Sequence, residues 1–167
     1  MPTVIDGTLG VDKIKDGSVV QADLATPVRS TGGTAAVAAG LVGEIITANG
    51  GVVGLSTAVG AQISSIVLPA GVWDVEGIVS LTGTGCALQR TSAGVSTVSA
   101  SIPVASVSNQ YSMTWSSGVV GTLEVPARVR RIILPSGGTV YLNAYMYFTA
   151  GSMSSNVASE ITARRVA

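Results

Sequence analysis

Apolar and polar residues alternate along much of the chain, and the clearest alternation covers Gly138 to Phe148. Every second residue there, starting at Val140, is apolar and would point to one side of an extended chain. The positions between them hold Tyr141, Asn143, Tyr145 and Tyr147. A strict period of two predicts a β-strand with one buried face, because successive side chains of a strand point to opposite sides of the sheet.

Seven further runs rich in Val, Ile, Thr and Ser carry the same strand signal. They are Gly43 to Thr47, Ala61 to Leu68, Gly71 to Leu81, Ala87 to Val95, Ser112 to Trp115, Leu123 to Leu134 and Val157 to Val166. No stretch longer than a turn or two has the pattern of an amphipathic helix. About eight strands at this spacing predict an all-β, antiparallel β-sandwich, and jelly-roll topology is the commonest choice for that number.

Two strand junctions resemble each other and predict turns. Leu68-Pro69-Ala70-Gly71 precedes one strand, and Leu134-Pro135-Ser136-Gly137 precedes another. Proline is preset for the first central position of a turn, and glycine follows where the chain must reverse.

The first 29 residues are of a different kind. They hold 7 of the 18 charged residues, including both lysines, and they contain a repeat with a period of ten. Val4–Leu9 aligns with Ile14–Val19, and Asp-Gly supplies a turn in each unit. Units this short gain stability by stacking on copies of themselves or on a partner. A disordered, solvated tail is the alternative.

These patterns predict three segments. Residues 1–29 form an extended N-terminal docking arm, residues 30–36 form a Gly/Thr-rich linker, and residues 37–167 form the β-sandwich body, jelly-roll-like in topology. The arm residues expected to carry docking are Val4, Ile5, Leu9, Lys13, Ile14, Val19 and Leu24.

The composition indicates a surface that partners cover. Hydrophobic residues make up 47% of the chain and charged residues 11%, with a mean hydropathy of +0.54; an average soluble domain has roughly 25% charge. No apolar run approaches the about 20 residues of a membrane-spanning helix, and the longest, Ala35 to Gly43, stops at Glu44. Asp6 and Asp12 near the N-terminus do not fit a secretory signal. We therefore expect no membrane insertion.

Enzymatic and nucleic-acid roles find little support in the residues. The net charge is zero and histidine is absent, which removes the electrostatic footprint for nucleic acid, the commonest general base and the commonest transition-metal ligand. Cys86 is alone and is expected to be a structural thiol. Asp74 and Glu76 could form a catalytic carboxylate pair, but two acids on the solvent side of one strand are ordinary. We expect no enzyme, cofactor or metal.

Two other groups of side chains are candidates for contacts. Arg128, Arg130 and Arg131 are expected to form intersubunit or capsid salt bridges rather than to bind nucleic acid. Tyr141, Asn143, Tyr145 and Tyr147 combine apolar rings with polar tips, which suits a subunit interface or a ligand face. Ordinary packing and contact with a glycan remain alternatives for this row. Trp115 is expected in the core, with a contact at a loop tip as the alternative.

Parts of the sequence resemble proteins of tailed bacteriophages. Lys13-Ile14-Lys15-Asp16-Gly17-Ser18-Val19 with Asp23-Leu24 resembles units common in the stalks and attachment regions of phage fibres. Ile66 to Val75 and Thr162 to Val166 resemble the small β-sandwich domains of head fibres, capsid decoration (cement) proteins and short tail fibres.

The resemblance implies a homotrimer in the virion of a bacteriophage, on the capsid surface or the tail. The lone Cys86 fits synthesis in the cytoplasm of the bacterial host. Its arms would dock on the major capsid protein or another virion protein, and its sandwiches would project outward. The main hypothesis is a capsid decoration or head-fibre protein. The alternative is a short tail fibre that recognises a host surface glycan.

Overall fold

The computed structural model describes residues 39–101, 110–114 and 121–167, the second of these ranges by its backbone alone. In these ranges the chain forms strands and no helix, which confirms the all-β prediction. The strands are β1 (Ile45–Asn49), β2 (Gly54–Leu55), β3 (Gly60–Leu68), β4 (Gly71–Thr84), β5 (Ala87–Ser96), β6 (Gln110–Thr114), β7 (Gly121–Leu134), β8 (Gly138–Thr149), β9 (Ser152–Ser155) and β10 (Glu160–Arg165). Each of the eight predicted runs overlaps a strand.

The strands build two antiparallel sheets. In sheet A, β4 pairs with β7 on one side and with β10 and then β9 on the other, while β1 and β2 pair with β10 and β9. Sheet B has the order β3-β8-β5-β6. β1 and β2 can be counted as one interrupted strand, and so can β9 and β10. When the described strands are renumbered from 1 to 8 on this basis, the strand order is 1-8-3-6 in sheet A and 2-7-4-5 in sheet B. This is the double Greek key of a jelly roll, as predicted.

The core lies between the two sheets and follows the predicted alternation. The inward residues of β4 include Trp73, Val75, Val79 and Leu81, and those of β8 include Val140, Leu142, Ala144 and Met146; all are buried. Cys86, in the turn between β4 and β5, is buried as well. These apolar side chains supply the main driving force for folding, at about 25 cal/mol for each Å² removed from water.

The two Leu-Pro-x-Gly turns are confirmed and lie side by side. One connects β3 of sheet B to β4 of sheet A, and the other connects β7 of sheet A to β8 of sheet B. Gly137 has a φ of +82°, and a Cβ atom at this position would lie 2.9 Å from the carbonyl oxygen of Leu68. Glycine is therefore required for the close approach of the two turns. We call this end of the sandwich the corner end.

Among the described residues, side-chain hydrogen bonds join the two sheets on both sides of the core. Ser64 of β3 donates its hydroxyl to the carbonyl oxygen of Asn49 in β1, at 3.0 Å. On the opposite edge, Arg130 of β7 donates Nη1 to the carbonyl oxygen of Val95 in β5, also at 3.0 Å. Each bond satisfies a carbonyl group at an edge where the two sheets meet.

Several predictions fall outside the described residues. These include the arm over residues 1–29 and the linker over residues 30–36, and hence all seven predicted docking residues, Val4, Ile5, Leu9, Lys13, Ile14, Val19 and Leu24. Trp115 also lies outside them. Within the described residues no helix is long and apolar enough to cross a membrane.

Candidate assembly surface

A buried ion pair fixes the point where the N-terminal part of the chain joins the body. Nε of Arg165 lies 2.9 Å from Oε2 of Glu44, and the two side chains are 7% and 9% exposed. The amide of Gly40 donates to the same carboxylate oxygen at 2.8 Å. Arg165 also donates Nη1 to the carbonyl oxygen of Ala70 at 2.7 Å, and its guanidinium lies 4.3 Å from the centre of the Trp73 ring. The charge of each partner is therefore compensated within the body.

The same cluster brings together two stretches that are distant in the sequence. Trp73 and Ala70 belong to Ile66–Val75, and Arg165 belongs to Thr162–Val166. Backbone hydrogen bonds extend the contact, since the amide of Val72 donates to the carbonyl of Ala167 at 2.8 Å. The described chain consequently begins at the corner end, beside the C-terminal strand.

The outer face of sheet A, here called face A, carries a bidentate ion pair. Nε and Nη2 of Arg131 lie 2.8 and 2.9 Å from the two carboxylate oxygens of Asp74. The hydrogen bond with Arg131 lowers the pKa of the Asp74 carboxyl, and the charges of Arg131 and Arg164 lower it further. Together they outweigh partial desolvation, which raises this pKa. The same pair raises the pKa of Arg131. Asp74 is thus held as a carboxylate, the opposite of what a proton-donating acid paired with Glu76 needs.

The arginine triplet does not form one patch. Arg130 pairs in register with the core residue Val75 and reaches sheet B, whereas Arg131 pairs with Asp74 on face A. Arg128 is exposed and lies within a register shift between β4 and β7, because Ala127 pairs with Gly77 and Arg130 pairs with Val75. Arg130 and Arg131, which were predicted to bridge subunits, are therefore engaged within the chain.

Face A also exposes large aliphatic side chains. Ile78, on β4, is 43% exposed and Ile133, on β7, is 68% exposed. Two adjoining shallow grooves cross this face, with volumes of about 270 and 220 Å³, and both are lined by Glu76 and Thr162. Face A therefore combines charged groups of both signs with apolar surface.

The outer face of sheet B, here called face B, is almost without charge. Among the strand residues that the structure describes in sheet B, Arg90 is the one charged side chain. The predicted tyrosine row lies on this face, where Tyr141 and Tyr145 are half-buried and Tyr147 is 43% exposed. Scarcity of charge together with tyrosine is typical of the centre of a protein interface.

Asn143 differs from the tyrosines that flank it, because it is 0% exposed and its amide is fully used within the chain. Its Oδ1 accepts a hydrogen bond from the amide of Ala100 at 2.9 Å, and its Nδ2 donates to the carbonyl oxygens of Val98 and Ser101 at 3.1 and 3.0 Å. The segment after β5 therefore crosses face B above Asn143. It separates Tyr141 from Tyr145 and Tyr147, and Asn143 is not available as a surface contact.

Comparisons with known proteins add no family. No protein-family model and no curated protein matches the chain. Among solved structures, it is similar to the VP2 subviral particle of infectious bursal disease virus, at 11% identity and a TM-score of 0.36, over 84% of this chain and 43% of the VP2 chain. A mutant VP2 of the same virus, from derived T=1 particles, gives 13% identity, a TM-score of 0.37, and coverages of 86% and 42%. The jelly-roll assignment rests on strand order in this chain.

Proposed function

We propose that this chain is a structural protein of a bacteriophage virion, a capsid decoration or head-fibre protein that docks through its N-terminal arm and trimerises through its β-sandwich. One observation carries the proposal: a jelly roll with a filled core leaves large apolar side chains, such as Ile133 and Tyr147, on outer faces of a body poor in charge. Folding does not need these side chains in the core. Exposed apolar patches of this kind mark surfaces that bind other proteins.

The proposed mechanism is mechanical rather than catalytic. The arm joins the body at the corner end, where Glu44 and Arg165 hold the start of the body against the last strand. An arm tethered in this way would lie across neighbouring shell subunits, and its regularly spaced aliphatic residues would be buried there. Buried area at several such junctions would stabilise the shell and leave the sandwiches outside it.

We place the trimer contact on face B. Its one charged strand residue among those described is Arg90, whereas face A carries the Asp74–Arg131 pair, Glu76 and Arg164. Desolvating charged groups is costly, so a neutral face with tyrosines is the better surface to bury between copies. Tyr141, Tyr145 and Tyr147 are the proposed contact residues.

Docking by the arm is tested with a full-length variant in which Val4, Ile14 and Leu24 are replaced by serine. The variant should fold and form the same oligomer as the wild type but should no longer co-sediment with particles that lack the protein. A matched control replaces Val52, Val59 and Val157, three exposed valines of the body, by serine. Undiminished attachment of the arm variant would contradict the proposal.

Trimerisation through face B is tested by analytical ultracentrifugation. Wild type should sediment as a species of three 16.6 kDa chains. Tyr145→Arg with Tyr147→Arg should give monomers with an unchanged far-ultraviolet spectrum. Ile133→Arg, on face A, is the control and should leave the trimer intact. A trimer that survives the tyrosine changes would exclude face B as the interface.

The second candidate function is that of a short tail fibre that binds host glycan. It is favoured by the exposed ring of Tyr147, which lies opposite Arg90 in the register of β5 and β8. A tyrosine ring can stack on a sugar, while its hydroxyl and a neighbouring guanidinium donate hydrogen bonds to the sugar hydroxyls. Binding of the isolated protein to a glycan array, lost in Tyr147→Ala, would support this candidate. A negative array with particle binding intact would favour decoration.

A further inference from the structure

The grooves on face A have uncompensated negative charge at one end. Asp74 is neutralised by Arg131, and Arg164 adds positive charge to the groove that it lines beside Asp74. Glu76 lines both grooves, and the adjoining groove also holds Glu160. Among the described residues, Glu76 has no hydrogen-bond or ion-pair partner, and Glu160 accepts a hydrogen bond from the hydroxyl of Thr162 at 3.0 Å.

Apolar surface borders these two carboxylates. Ile78 and Pro126 line the same groove, and both are exposed. Long aliphatic stems that end in a positive charge can cover such surface while their heads reach the carboxylates. The groove therefore suits lysine side chains from an extended segment.

The separation of the two carboxylates follows from the strand register. Glu76 of β4 lies opposite Thr162 of β10, and Glu160 lies two residues further along β10. Such diagonal neighbours in a sheet are about 7–8 Å apart. In an extended chain, residues i and i+2 point to the same side and lie about 6.6 Å apart.

The chain contains two lysines, Lys13 and Lys15, and they have this spacing. They belong to the second ten-residue unit of the arm. The equivalent positions of the first unit are Thr3 and Ile5, which have no positive charge. The two units are thus alike in their Asp-Gly turns but differ at the positions that would meet the groove.

The connection to the body allows this contact. Lys15 is 24 residues upstream of Ala39, and an extended segment of this length reaches up to about 80 Å. The described chain enters at the corner end beside β10, whose Arg164 lies on face A. The reach is sufficient for the groove of the same body and for that of a neighbouring copy in an oligomer.

We propose that the second arm unit docks in the face A groove, with Lys13 and Lys15 against Glu76 and Glu160. In an extended segment Ile14 points to the side opposite the two lysines, so it stays available, together with the first unit, for the partner on the virion. This contact goes beyond the proposed function, because it concerns how the arm is held on the body and does not depend on what the arm binds.

Zero-length carbodiimide cross-linking of the full-length protein, followed by peptide mass spectrometry, tests the contact. The reagent joins a lysine amine to a carboxylate that it touches. Peptides linking Lys13 or Lys15 to Glu76 or Glu160 are expected. Glu124 is the control carboxylate, because it is exposed on β7 of the same sheet but lines neither groove. Cross-links between the lysines and Glu124 should be about tenfold less abundant, because the combined free energy of two exposed ion pairs corresponds to about a tenfold preference.

A charge exchange provides a second measurement. Glu76→Lys with Glu160→Lys should abolish the cross-links. Adding Lys13→Glu with Lys15→Glu should restore them, now with the amines on the body and the carboxylates on the arm. Equal linking to Glu124, or links confined to aspartates of the arm, would overturn the proposal. Particle attachment of the Glu76→Gln/Glu160→Gln variant is assayed separately, so that failure of this contact is distinguished from failure of arm docking.

Discussion

Arg165 and Glu44 are 121 residues apart in the chain, and their side chains form an ion pair of 2.9 Å inside the body. The carboxylate accepts a second hydrogen bond from the amide of Gly40, and the guanidinium stacks on Trp73. One pair thus ties the start of the body, the last strand and the β3–β4 corner together. Because neither charge is accessible to bulk water, each depends on the other.

Removing one partner of this pair should be strongly destabilising. Arg165→Met leaves the carboxylate of Glu44 buried without its cation, and we expect the free energy of unfolding to fall by about 3–5 kcal/mol. Urea denaturation followed by tryptophan fluorescence measures this loss. Arg164→Met, one residue away and exposed, is the control and should change stability by less than about 0.5 kcal/mol. Similar losses for both variants would show that the pair has no special role.

The contact between the two corner turns gives a second prediction. Gly137→Ala places a Cβ close to the carbonyl oxygen of Leu68 at a φ of +82°, so we expect a loss of at least about 1–2 kcal/mol. Gly54→Ala is the control, because a Cβ there meets no atom within 4 Å. Thermal unfolding of both variants decides the matter. A Gly137→Ala protein as stable as Gly54→Ala would contradict the close packing of the corners.

The fold could be predicted from the sequence as far as the strands carry a period of two. Alternation in β8 gave its buried side correctly, and both proline turns were found because their chemistry is local. β2 and β9 were missed, since strands of 2 and 4 residues are too short for a period to show. Strand order was not readable from alternation. β1 pairs with β10 at the other end of the chain, and the jelly roll was predicted from the number of strands.

The assembly surface was predictable only in part. Arg165 follows Ile161 and Ala163 on the inward side of β10, and a charged residue in an apolar phase was a usable signal for a buried ion pair. Its partner Glu44 could not be identified, because that depends on the register of distant strands. Asn143 lies at the same alternating positions of β8 as the tyrosines, so the local sequence could not show that it is buried while they are partly exposed.

Acid should weaken the contribution of the Asp74–Arg131 pair. The pKa of Asp74 is lowered from 3.8 in the folded state, so its stabilising effect is present above that value and is lost as pH falls through the lowered pKa. Asp74→Asn should therefore be slightly less stable than wild type at neutral pH and equally stable in strong acid. The difference at neutral pH should be small, since the Arg131 side chain is 63% exposed and solvent screens the pair.

Urea unfolding of both proteins across the acid range measures this convergence. Arg131→Gln should reproduce the profile of Asp74→Asn, and the double variant should lose little more. A deficit of Asp74→Asn that stays constant down to strong acid would show that the ion pair is not its cause.

Asn143 should hold the segment after β5 on face B. Asn143→Ala removes three hydrogen bonds and leaves the amide of Ala100 and two carbonyl groups without their partner, so we expect a loss of about 1–3 kcal/mol. Hydrogen exchange at the Ala100 amide should accelerate more than exchange in β8. Gln62→Ala is the control, because Gln62 accepts one exposed hydrogen bond from Ser99 of the same segment. Unchanged exchange at Ala100 in Asn143→Ala would show that other contacts hold the segment in place.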